Sequence, residues 1–151
     1  MRRSYLIAIA VAVVLFLVIS GLLARVFSAN SAEQSAITAL VTSEAHGDVD
    51  AIVGEILGCR TSRPCLQRAA SNATLKRPGA VSILELNPST SFSIAGTEGT
   101  ARVAWTVGNS LPITQCVRVR RTGNVLSGLH VELLAVTGRL LSDADCPARI
   151  T

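Results

Sequence analysis

The chain has 151 residues, 49% of them apolar, and a formal net charge of +4, which leaves room for one domain and no second core. Arg2, Arg3 and Arg25 flank an uncharged run, and without them eleven basic residues stand against ten acidic, a net +1. A nucleic-acid binder carries its basic surplus on the domain itself, so this balance argues against nucleic acid as a partner.

Residues 5–24 carry no charge. About 20 helical residues span roughly 30 Å, the thickness of a hydrocarbon core, and a helix satisfies its own backbone there. The expected layout is a cytoplasmic tip at 1–4, a transmembrane anchor at 5–26, a linker at 27–30 and an extracytoplasmic domain at 31–151. Arg2 and Arg3 precede the run and only Arg25 lies just after it, which puts the N-terminus in the cytoplasm. A cleaved signal peptide is the alternative. Ala29-Asn30-Ser31 passes as its cleavage site, but such peptides have an apolar region of only about 7–15 residues. Either reading places the domain outside the cytoplasm. All basic residues but Lys76 are Arg, a bias that points to a GC-rich bacterial coding sequence.

A first domain helix is expected over 31–45, opened by a capping box of Ser31 and Gln34 and stopped by Gly47. A second follows Asp48 as N-cap, with Val49, Ile52, Val53, Ile56 and Leu57 forming an amphipathic stripe, and ends at Gly58. A third is expected over 63–76, with Ser62 as cap, Pro64 in the first turn, and Leu66, Ala69, Ala70 and Ala73 as its apolar face. The period then changes from 3.6 to 2. Strands are expected over 81–86, 92–95, 100–107, 113–121 and 125–136, with turns at 96–99 and Thr122-Gly123-Asn124 and a bulge at Gly128. Three helices followed by an antiparallel sheet of about four strands make an α+β domain.

Cys59, Cys65, Cys116 and Cys146 all lie beyond the apolar run. An even count outside the cytoplasm indicates two disulfides. Of the three possible pairings, Cys59–Cys65 with Cys116–Cys146 joins neighbouring elements and is preferred. By loop-closure entropy the two bridges contribute about 2.4 and about 3.7 kcal/mol. The competing zinc site lacks close Cys pairs and has only His46 and His130 to draw on, so no metal is expected.

An anchor followed by three helices and a curved antiparallel sheet resembles the NTF2-like (cystatin-like) fold. Its membrane-anchored branch, the VirB8-type subunits of secretion machines and the Mce-associated proteins of actinobacteria, is the most similar. Asn87-Pro88 is similar to an Asn-Pro pair of VirB8-type proteins, though the Gly expected nearby is absent. The resemblance covers 5–137 as an order of elements. It implies an envelope-complex subunit and assigns no functional residue.

Four constellations are candidates for chemistry or binding. Arg118, Arg120 and Arg121 form the densest charge cluster, which suits anionic headgroups or an acidic partner; the plainer reading is a solvated sheet face. His130 and Glu132 share a strand face, as an acid–base pair must, but no nucleophile stands beside them. Trp105, with Val103 and Val107, lines either a pocket or simply the core. Asn72-Ala73-Thr74 matches a glycosylation pattern that falls on an expected helix. His46 suits a helix C-terminus. With no catalytic motif and no cofactor fingerprint, the expected function is that of a non-catalytic subunit or accessory of a cell-envelope complex. The alternative is a binding module for a lipid or small apolar ligand.

Overall fold

A computed structural model describes the backbone of residues 2–89, 98–124, 128–141, 145–147 and 150, with the side chains of 2–6, 8, 22–29 and 123–129 outside the description. Helix α1 spans Arg2–His46, 45 residues without a break. The linker expected at 27–30 and the separate helix expected over 31–45 are therefore one rod. The reason is local: no Gly or Pro stands between Gly21 and Gly47, so nothing interrupts the hydrogen-bond ladder, and Ser31 is a mid-helix residue rather than a cap. Among the described residues no helix is long and apolar enough to cross a membrane. The large apolar side chains described in the first half of α1 are nevertheless exposed, Ile7 at 65% and Phe16 at 69%. In the second half, Ile37, Leu40 and Val41 are buried.

Gly47 ends α1 as expected, with φ of 71°, where a Cβ would meet the Ala73 carbonyl oxygen at 3.1 Å. Asp48 then caps α2, Val49–Glu55, its Oδ1 accepting from the Ala51 N–H at 3.0 Å. Asp48→Ala is expected to lower unfolding free energy by about 1 kcal/mol, read from the fluorescence of Trp105, the only tryptophan. An unchanged denaturation midpoint would show that the cap contributes nothing. The expected stripe is shortened. Ile52 and Val53 are buried within the helix, but Ile56 leaves it to bridge Leu133 in parallel, and the Leu57 N–H donates to the Leu133 carbonyl at 2.8 Å. This pairing satisfies a free strand edge, which outweighs two more helical residues.

A 3-10 turn, Cys59–Thr61, leads into α3, Arg63–Ala73. Here the expected face is corrected. Ala69 and Asn72 are buried and Ala73 half-buried, whereas Leu66 is 39% exposed and Ala70 is exposed. The Ser62 side chain makes no cap hydrogen bond.

The sheet holds β1 (Val81–Asn87), β2 (Glu98–Val107), β3 (Ile113–Asn124) and β4 (Gly128–Val136), in the order β1-β2-β3-β4 with every pair antiparallel. The 92–95 strand, residues 96 and 97 of the turn, and residues 125–127 lie outside the described residues. Thr122-Gly123-Asn124 is the end of β3, not a turn, paired with the start of β4. The pairing register shifts between Ile83 and Glu85 and between Arg118 and Val119; such bulges bend a sheet. The helices pack on one face, and Ile37, Leu40, Ile52, Ala69, Val103, Trp105, Val117 and Leu133 form the core between them and the sheet. The chain is an α+β domain. Both preferred disulfides are formed, Cys59–Cys65 and Cys116–Cys146, with Cα separations of 5.2 and 5.7 Å. The first joins the segment after α2 to the start of α3. The second fastens the tail over the outer face of β3.

Candidate functional site

Side chains alternate along β3, so its odd-numbered residues face the helices and its even-numbered ones face outward. The three arginines are therefore divided. Arg118 and Arg120 lie outside and both reach Glu98, at 2.7 and 2.9 Å, and Arg120 also approaches Glu132 at 3.8 Å. Arg120 and then Arg118 hold the Glu98 carboxyl below its ordinary range by donating hydrogen bonds to it. These two form an exposed ion network, the solvated face that alternates with the core. Arg121 lies inside. It pairs with Glu33 of α1, its Nε donating to Oε2 at 3.0 Å, and its Nη2 also reaches Asn30 and the Ser89 carbonyl at 3.4 Å. Glu33 is fully buried and the Arg121 side chain is 13% exposed. The Ser89 N–H donates to Glu33 Oε1 at 2.8 Å. The pair thus ties α1 to the end of β1 and to β3.

A second polar cluster, which sequence reading did not find, lies in the core. Asn72 donates to Glu44 Oε1 at 2.7 Å and to the Thr137 carbonyl at 3.0 Å. Gln115 accepts from Trp105 Nε1 at 2.7 Å and donates to the same carbonyl at 3.3 Å. Glu44 is fully buried, and its Oε2 has no hydrogen-bond partner among the described residues. Burial pushes its carboxyl up to about 7, against the lowering influence of the neighbouring Gln115 and Asn72 amides. The only sequence signal was an acidic residue on the buried side of α1, one turn beyond Leu40 and Val41. Asn72 is 1% exposed and engaged here, so it is no acceptor for a glycan.

His130 is exposed and sits opposite Thr122, while Glu132 sits opposite Arg120 and pairs with it. His46 Nδ1 lies 2.7 Å from the Thr42 carbonyl, a contact within the last turn of α1. No cluster of three or more His, Cys, Asp or Glu able to hold a metal occurs among the described residues.

Trp105, Val103 and Val107 are buried in the core, and none of them lines either of two concavities elsewhere. One is an open groove of about 660 Å³ along α1, bordered by Ser31, Gln34, Thr38, Thr42 and Glu55. Its threonines bond to their own helix, Thr38 to the Gln34 carbonyl and Thr42 to the Thr38 carbonyl, each at 2.7 Å. Those two hydroxyl protons are already engaged, and the rest of the groove is bordered by polar side chains such as Ser31, Gln34 and Glu55. The other is a cavity of about 180 Å³ between α3 and the end of β4. Comparison with protein-family models, with curated proteins and with solved structures found no match to this chain.

Proposed function

We propose that this chain is a single-pass, membrane-anchored subunit or accessory of a cell-envelope complex. Its N-terminus is cytoplasmic, residues 5–26 are its anchor, and its domain is extracytoplasmic and non-catalytic. One observation carries the reading. The 45-residue α1 is a single rod, exposed and apolar at one end and built into the domain core at the other. Large apolar side chains exposed along one end of a helix need a lipid or protein environment, and the uncharged run at 5–24 has the length of a bilayer core. A rod continuous with the domain fixes the height of that domain above the membrane, which suits a component that holds protein partners in place. The order of helices and antiparallel sheet supports an NTF2-like reading of the domain. The non-catalytic reading rests on the sealed position of Glu44 and on the engagement of Glu132 by Arg120.

A C-terminally tagged chain, cross-linked in intact cells and purified from gently solubilised membranes, is expected to bring down a defined set of envelope proteins. Recovery in the soluble fraction would refute the anchor, and a solitary protein from the membrane fraction would refute the complex.

A further inference from the structure

We propose that the 180 Å³ cavity between α3 and the end of β4 binds a small apolar molecule carrying a carboxylate, with Arg68 as its counter-ion. Three observations converge on it. The lining is about half apolar, from Leu57, Leu134, Val136 and Ile150, and half polar, and the Cys59–Cys65 bridge closes one wall. Arg68 lines the same space, and its Nε is shut off from solvent with no hydrogen-bond partner among the described residues. Its Nη1 lies beside Gly138, 2.9 Å from where an added Cβ would stand, which places the guanidinium next to the end of β4. None of the residues lining the cavity is acidic.

A guanidinium stays charged at every relevant pH, and leaving it partly desolvated without a partner is unfavourable. Arg121, by contrast, is answered by Glu33. A carboxylate matches the guanidinium fork in charge and geometry, and an apolar tail would occupy the remaining space. Ser62, whose hydroxyl makes no cap bond, also lines the cavity and offers a second donor. The volume lies below the roughly 300–1,000 Å³ of drug-sized pockets, which sets the ligand at the scale of a short-chain monocarboxylate. The site is independent of the envelope-complex reading, since it requires no partner protein.

The test is a titration of the full chain in lipid nanodiscs with hexanoate, and with hexanamide as the neutral molecule of the same shape, followed by methyl NMR. Hexanoate is expected to shift the methyls of Leu57, Leu134, Val136 and Ile150, to leave those of Ile37 and Val103 in place, and to bind at least tenfold tighter than hexanamide. Arg68→Met is expected to remove that tenfold preference. Butyrate and octanoate extend the series: affinity rising with length assigns the site to acyl chains, and affinity falling beyond hexanoate assigns it to short free acids. Equal binding of acid and amide, shifts outside these residues, or no response at millimolar hexanoate would overturn the proposal. The acid–amide comparison on the unmodified chain decides the matter even where Arg68→Met fails to fold.

Discussion

Glu33→Ala is expected to destabilise the domain by about 3–5 kcal/mol, the range for removing one partner of a buried ion pair. For a net stability of roughly 5–15 kcal/mol this is a large share. Three losses add. Arg121 keeps its charge in a site where its side chain is 13% exposed. The Ser89 N–H, which donates to Glu33 at 2.8 Å, loses its acceptor. The hydroxyl of Ser89, which donates to Oε2 at 3.2 Å, loses another. The double variant Glu33→Leu with Arg121→Met is expected to recover most of the loss, because breaking a buried pair costs more than replacing it whole. Denaturant unfolding of the full chain in micelles, followed by Trp105 fluorescence, measures both variants. A single variant within 0.5 kcal/mol of the parent, a margin of about the size seen for surface changes, would mean that the pair does not hold α1 to the sheet. The same clamp lies on α1 just past the proposed anchor, so its loss is also expected to loosen the domain on its rod.

The second large effect is a dependence on pH. The Glu44 carboxyl has its folded value raised to about 7 from an ordinary 4.5. For an acid raised in this way the folded state binds more protons than the unfolded state between the two values. Stability from this group is therefore fully present below about 4.5, falls as pH rises through the window, and is at its lowest above about 7. Converted at 1.36 kcal/mol per unit, the loss across the window is about 3 kcal/mol. Glu44→Gln removes the titration. Its amide oxygen can accept from Asn72 as Oε1 does, and its nitrogen takes the place of Oε2, which has no partner among the described residues. Subtracting the variant's pH–stability curve from the parent's is expected to leave a fall of about 3 kcal/mol between pH 4.5 and 7. Parallel curves would show that Glu44 does not titrate in this window.

What could be read from the sequence was local. Gly47 and Asp48 act at their own backbone positions, so the boundary between α1 and α2 was legible from residue type alone. The alternation of Val103, Trp105 and Val107 sorted β2 into its two faces before any neighbour was known. The disulfides followed from the positions of four cysteines. The fusion of 27–30 into α1 was legible too, from the lack of a helix breaker; the expected capping box at Ser31 obscured it.

Only the tertiary structure decided which polar residues go inside and with what partner. Arg121 is one residue from Arg120, yet the two occupy opposite faces, and the residue that makes the inward one tolerable is Glu33, 88 positions away. Asn72 resembled a glycan acceptor because its motif is three residues long, but its role is set by Glu44 and Thr137, 28 and 65 positions away. Ile56 satisfied a helical stripe and was taken by the edge of β4 instead. Sequence patterns report the preferences of neighbouring residues, whereas the burial of a charge or an amide is decided by whether a distant partner arrives to satisfy it.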